Sequence, residues 1–220
     1  MTASPEIKIV VFDWGNVILK IVSSWEEACK RANLPFRPEV SSPTSKSRRQ
    51  ELAKLHQLGH IQSPDFFEKI SNSIKGLYSP QEFQIVHDAW LISEFAGISQ
   101  LIDDIHANNK ATTGLLSNTN AAHWQRHLGT PQNPADFPTV AKLRHKHASH
   151  LMGLAKPEIE IYKAFETLSG FKPANILFFD DLEENIKMAQ SRGWTTIHIA
   201  APVDDTTAQI RHALQDHAVL

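Results

Sequence analysis

"IKIVVFDWGNVIL", residues 7–19, holds the pattern that decides the fold. An Ile- and Val-rich run with Lys8 as its one polar residue ends in Asp13, and a Gly15–Asn16 turn follows. A short, continuous, β-branched run reads as a strand buried on both faces. Such a strand is a rigid mount for whatever stands at its end, and here that is a carboxylate.

Three further runs have the same character: "ATTGLLSN" (111–118), "NILFFDD" (175–181) and "GWTTIHIA" (193–200). Helical patterns alternate with them. "PEIEIYKAFETLSG" (157–170) starts with Pro157 and an acidic turn and stops at Gly170, and "LEENIKMAQSRG" (182–193) also stops at glycine. A last helix is predicted over 204–218, opened by Asp204 or Asp205. Strands alternating with helices predict an α/β protein with a Rossmann-like, doubly wound parallel sheet.

Residues 20–95 break the rhythm. They show no convincing strand, and helix-like stretches lie at 24–33, 44–58, 64–75 and 80–92. The simplest organisation is a core of residues 1–20 and 96–220 with a helical cap, 21–95, inserted after the first strand. Residues 129–140 read as an irregular loop.

Bulk properties narrow the function. The 220 residues are 41% hydrophobic and 21% charged, with net charge −2, so no global basic field draws nucleic acid or an anionic membrane. Cys29 is the only cysteine, which excludes an internal disulfide and reads as a partly buried thiol. The segment "MTASPEIK" lacks a basic start and an apolar signal core, and no run reaches membrane-spanning length. A cytoplasmic protein without nucleic-acid or membrane partners is the expectation.

In open parallel sheets, ligands bind beyond the carboxyl ends of the strands. Asp13, Ser117–Asn118 and Asp180–Asp181 all fall at such ends. Clustered carboxylates repel one another, and a dication with a taste for hard oxygen ligands, Mg2+, relieves them. Lys156, just before a helix, is the cation best placed to meet an anionic phosphate. The residues alone therefore suggest a Mg2+-assisted phosphoryl site in which a carboxylate is the nucleophile.

Four segments in order, "VVFDWGNVI" (10–18), "LLSNTN" (115–120), "KPEIEIY" (156–162) and "FFDDLEENI" (178–186), resemble the four motifs of the haloacid dehalogenase-like (HAD) hydrolase superfamily. Asp-x-Gly-Asn, Ser-Asn-Thr-Asn with His123 close behind, and Phe-Phe-Asp-Asp are similar to the subgroup that includes α-D-glucose-1-phosphate phosphatases. "GHIQSPDF" (59–66) resembles the signature of that subgroup's small helical cap. The resemblance implies Asp13 as nucleophile and Mg2+ ligand, the Gly15 carbonyl and Asp181 as further ligands, Ser117 and Asn118 on the transferred phosphoryl group, and Lys156 as its counter-charge. Asp180 becomes a secondary ligand in this alignment, although the two aspartates can exchange roles. Asn185 either orients the loop or is a plain helix residue. Glu183 and Glu184 read as a solvated first helical turn.

Gly15 departs from the superfamily pattern, where aspartate usually supplies the proton to the leaving oxygen. His123, a water or a cap residue are the alternatives. Ser117 or Asn118 also read as caps of a helix from about 120. Trp14 either meets the leaving group or packs beneath the cap. "RHKHASH" (144–150) tempts a metal reading, but on a strand His145 and His147 would share one face and His150 would not, no further Cys or His pairing has a zinc spacing, and a surface edge accounts for it better. Arg37, Arg48, Arg49, His56 and His60 are candidate substrate contacts from the cap. The expected substrate is a small phosphorylated metabolite, a sugar phosphate among the candidates. The rivals are a HAD-fold binding or regulatory protein with weak catalysis, and a haloacid dehalogenase, against which the metal-type "FFDDLEEN" and the absence of Asp-x-Tyr both argue.

Overall fold

The computed structural model describes residues 6–200 and 205–220. At its centre lies β1 (Ile9–Phe12), paired in parallel with β4 (Thr112–Ser117) on one side and β6 (Ile176–Asp180) on the other. The outer strands are β5 (His145–Ala148), beside β4, and β7 (Thr195–His198), beside β6. The chain steps outward from β1 through β4 to β5, then crosses back to build β6 and β7, which makes the carboxyl end of β1 a topological switch point.

Both faces of this sheet are covered, which is why its central strands are apolar without alternation. Val10, Phe12, Leu115, Leu177 and Phe179 face a cluster with Leu101 and Ile105 of α5 (Ile98–Asn108) and Ile210 and Leu214 of α11 (Thr206–Asp216). Ile9, Val11, Leu116, Ile176 and Phe178 face Tyr162 and Phe165 of α9 (Ile159–Ser169) and Ala189 of α10 (Glu183–Ser191). Short helices α6 (Ala121–Gln125), α7 (Thr139–Lys142) and α8 (Ser149–Met152) fill the connections on either side of β5. Asp205 holds the N-cap position of α11 without a side-chain cap bond, and Asp204 lies outside the described residues.

The insertion carries α1 (Trp25–Arg31), α2 (Pro43–Gln57), α3 (Ser63–Ser73) and α4 (Pro80–Asp88). Local signals set their starts: Ser24 caps α1, and Ser79 and Glu82 form a reciprocal capping box on α4 with proline in its first turn. These helices close on their own apolar cluster, with Cys29, Phe66, Ile70, Tyr78 and Phe83 buried in it. One expectation fails here. Residues 20–95 do contain strand: β2 (Leu19–Ile21) pairs antiparallel with β3 (Leu91–Glu94) where the chain leaves and re-enters the core. The predicted helix 80–92 accordingly stops at Asp88. Among the described residues, no helix is long and apolar enough to cross a membrane.

Candidate active site

Parallel register assembles the site. Phe12 pairs with Phe179, and the next backbone bond runs from the Asp13 N–H to the Phe179 carbonyl, 2.8 Å. Asp13 and Asp180 thus stand level on adjacent strands, with Asp181 one residue beyond. Asp13, Asp180 and Asp181 each offer a carboxylate oxygen within 4.8 Å of the others, the one such group of potential metal ligands among the described residues.

Lys156 enters from the loop before α9. Its Nζ lies 2.6 Å from Asp180 Oδ2 and 2.9 Å from Asp13 Oδ1, with its side chain almost wholly buried. Burial works to lower the ammonium's pKa, but Asp13 and Asp180 outweigh it and the net shift is upward. Burial is also the largest influence on Asp13. It raises the pKa, Lys156 pulls it back, and Asp180 and Asp181 push it up again, to about 6. Asp181 is raised chiefly by burial, against a hydrogen bond from Asn16.

The two adjacent aspartates have different occupations. Asp180 Oδ1 accepts from the Leu182 N–H (2.8 Å) and Asn185 Nδ2 (2.9 Å), and Oδ2 accepts from Lys156, so its carboxylate is fully engaged. Among the described residues, the one side chain that donates a hydrogen bond to Asp181 is Asn16, through Nδ2 at 2.9 Å. Asp13 Oδ1 is buried with no aligned hydrogen bond, its contact with Lys156 being an ion pair off the bonding direction. An orphaned carboxylate oxygen, a net excess of negative charge over one lysine and an oxygen-only donor set all suit a hard dication.

Ser117, at the buried end of β4, and Asn118 border the same space. Neither caps the following helix. That task falls to Asn120, whose Oδ1 accepts from the His123 N–H at 3.1 Å. The Asn118 amide instead clamps the Lys156 backbone, donating to its carbonyl (2.8 Å) and accepting from its N–H (2.9 Å). Asn185 is buried, holds Asp180, and accepts from the Tyr162 hydroxyl through its carbonyl, so it orders the loop rather than facing solvent.

His123 reaches the cavity, but both ring nitrogens are committed. Nε2 donates to the His87 carbonyl (2.9 Å), and Nδ1 accepts from Asn120 Nδ2 (3.4 Å). Asn120 Nδ2 also donates to His87 Nε2, 3.3 Å. The two imidazoles stack with centroids 3.9 Å apart. Burial drives His87 down to about 3 and His123 well below the usual range, so both are neutral. They form a strut between α4 and α6.

A cavity of about 570 Å3 opens above Asp13, Ser117 and Lys156 and runs up into the insertion. Of the five candidate contacts from the cap, Arg49 and His56 line it. Arg37 is instead paired with Glu82 and stacked on Tyr78, and Arg48 bonds the Ser73 carbonyl. Neither they nor His60 border the cavity. Trp14 is buried edge-on against Trp124, His127 and Phe137 and also borders the cavity. His145 and His147 lie on edge strand β5 with their rings against Phe171 and Phe165. Cys29 is fully buried, 3.4 Å from the Tyr78 hydroxyl, and burial raises its pKa, the reverse of a reactive thiol.

Three structural contributors carry no obvious sequence signal. Asn16, at φ 55°, ties the turn after β1 to Asp181; only its place after Gly15 hints at a left-handed turn. Ser149 Oγ accepts from the Thr119 N–H and shares its one proton between the carbonyls of Thr119 and Gln57, joining the loop after β4 to the insertion. His87 sits in an ordinary helical stretch.

Known proteins resemble this chain in sequence or in fold. Over 120 residues the chain is 27% identical to acyl-CoA dehydrogenase family member 10 of Mus musculus; the match covers 54% of this chain and spans only a tenth of that protein. A HAD-like family hydrolase from Porphyromonas gingivalis superposes with TM-score 0.76 at 22% identity, covering 94% of this chain and 98% of the other. A HAD family enzyme of Bacteroides thetaiotaomicron, solved with magnesium and inorganic phosphate, superposes with TM-score 0.70 at 24% identity, covering 87% and 93%. The model of the haloacid dehalogenase-like hydrolases matches residues 7–193, which takes in all four motifs: the chain belongs to that hydrolase family.

Proposed function

We propose that the chain is a Mg2+-dependent phosphatase of a small phosphate monoester, working through an aspartyl-phosphate on Asp13. The observation that carries this reading is the buried Asp13 carboxylate, ion-paired with Lys156 and 4.8 Å or less from two more carboxylates. With a pKa near 6 it is ionised at neutral pH, as a nucleophile must be. The magnesium and phosphate held by the Bacteroides thetaiotaomicron enzyme support the same chemistry.

In this reading Asp13, the Gly15 carbonyl and Asp181 hold Mg2+, which supplies charge neutralisation to the phosphoryl oxygens. An Asp13 oxygen bonds to phosphorus as the ester P–O bond breaks and the alcohol leaves. Lys156 offsets the charge of Asp13 and phosphate, while the Ser117 hydroxyl and the Asn118 N–H hold the transferred oxygens in line. Water then attacks phosphorus, releasing inorganic phosphate and restoring Asp13. Asp180 acts on Lys156 as a positioning group. The leaving oxygen takes its proton from water, because Gly15 has no side chain and His123 is neutral and occupied.

The test is turnover of an aryl phosphate by the purified protein with Mg2+, with EDTA, and as Asp13→Asn. Metal-dependent phosphate release that disappears in the variant supports the proposal. Phosphate binding without release supports a binding protein, the reading that Gly15 favours, and metal-independent halide release from a haloacid supports a dehalogenase.

A further inference from the structure

The cavity is larger than a phosphate group requires, and its upper wall is apolar. Trp25, Phe66, Ile70, Phe83, Trp90 and Leu91 line it from the insertion. Gln50 and Gln57 of α2 also line it, with no side-chain hydrogen bond among the described residues, whereas the imidazoles are spent. His56 is bonded to Ser63 Oγ at 3.0 Å and stacked on Phe66 at 4.1 Å, and burial lowers its pKa to about 4. The pairing through Asn120 consumes His123 and one nitrogen of His87. Apart from Lys156, the only Lys or Arg among the lining residues is Arg49. Its guanidinium lies 5.0 Å over the Trp25 ring and gives Nη2 to the Val40 carbonyl, while its Nε is buried with no hydrogen-bond partner.

Two amides, that of Gln50 exposed and that of Gln57 half-buried, are too few for the several hydroxyls of a sugar phosphate against an otherwise apolar wall, which such a substrate fits poorly. Each hydroxyl of a hexose taken out of water needs a partner, and an unmet hydroxyl costs more than a met one returns. An apolar body gains from the same wall. Resting on the phosphatase reading above, we infer that the substrate is the phosphate monoester of a predominantly apolar alcohol bearing one anionic or carbonyl oxygen, which Arg49 receives.

Non-hydrolysable phosphonates test this with the full chain in Mg2+. Inorganic phosphate, benzylphosphonate, para-carboxybenzylphosphonate and the methylene phosphonate of glucose are titrated by calorimetry, with Trp fluorescence as the second readout because Trp25 and Trp90 line the cavity. Benzylphosphonate is expected to bind at least about tenfold more tightly than the glucose analogue. The carboxylate is expected to add about another tenfold, and Arg49→Met to remove that increment. Equal or tighter binding of the glucose analogue overturns the inference, as does a carboxylate increment that survives in Arg49→Met. If inorganic phosphate binds and the apolar preference is missing, the inference alone fails. If no phosphate or phosphonate binds, the phosphatase reading falls and the inference falls with it.

Discussion

Lys156 Nζ stands closer to Asp180 (2.6 Å) than to Asp13 (2.9 Å), although Asp13 is the proposed nucleophile. Asp180 is therefore the lysine's anchor, and its neighbour Asp181 keeps the freer carboxylate. Asp180→Asn and Asp181→Asn should behave differently despite their adjacency. Asp180→Asn leaves a buried ammonium with one carboxylate, and urea denaturation should show a loss of about 3 kcal/mol. Asp181→Asn should keep stability within about 1 kcal/mol of wild type. It should abolish the rise in Tm that Mg2+ produces.

Metal binding should be pH-dependent in a defined sense. Burial raises Asp13 to about 6, so it takes up a proton as pH falls below that point, and burial shifts Asp181 in the same direction. A dication must displace those protons. Isothermal titration in buffers of different ionisation enthalpy should detect proton release on Mg2+ binding near pH 6 and much less at pH 8. Affinity should fall about tenfold per pH unit, per proton displaced, below pH 6.

The protein should be acid-sensitive above the range where ordinary carboxylates titrate. His56 and His87 have folded pKa values of about 4 and 3, and His123 is also well depressed, against 6.5 when unfolded. The unfolded chain therefore takes up protons below pH 6.5 that the folded chain refuses. Each such histidine removes about 1.4 kcal/mol per pH unit until its folded pKa is reached. Asp13 opposes them: its folded pKa lies above the unfolded 3.8, so acidification through 6 favours its folded form. Asp88 and Asp181 act in the same sense as Asp13, while His127, His147 and His150 add to the other side. The histidines outnumber the aspartates, so the urea midpoint should drop steadily from pH 7 to pH 5. A flat or rising midpoint would contradict the neutral strut.

Position 15 explains a further expectation. A Cβ placed on Gly15 meets Ile21 Cδ1 at 3.3 Å and Cγ2 at 3.7 Å. Ile21 of β2 thus crowds an aspartate Cβ there and has to give by a few tenths of an ångström to admit it. Wild-type turnover should depend steeply on the leaving group, fast with aryl and slow with alkyl phosphates. Gly15→Asp with Ile21→Ala should speed alkyl phosphates by up to about 10²-fold and leave aryl phosphates nearly unchanged. Gly15→Asp alone should gain less. No gain on any ester from the double variant would refute this account of the missing acid.

The sheet and its strand-end chemistry were legible because burial on two faces leaves an uninterrupted Ile/Val/Phe run, and a carboxylate at its end stands out. The β2–β3 ladder was not. Strands of three and four half-buried residues lack a period, and "AWLI" (89–92) reads as more of α4. Adjacent identical residues hide their roles as well: Asp180 and Asp181 separate only once the strand end and the Lys156 contact are known. Gly59 shows a middle case. It belongs to a recognisable signature, and the reason is spatial: at φ +73° a Cβ there would sit 2.3 Å from the His150 carbonyl oxygen, where the insertion closes on the core. The cavity's apolar wall was beyond reach, because it is assembled from helices that only tertiary packing brings together.

The central claim is that Asp13 itself receives the phosphoryl group. Acid-quenching the enzyme during turnover with Mg2+ and an aryl phosphate, then mapping peptides by mass spectrometry, tests it most directly. The account predicts the added mass of one phosphoryl group on the peptide containing Asp13, lost on hydroxylamine treatment and absent from Asp13→Asn. Turnover with no modification of that peptide, or with the phosphoryl group on another residue, would contradict it.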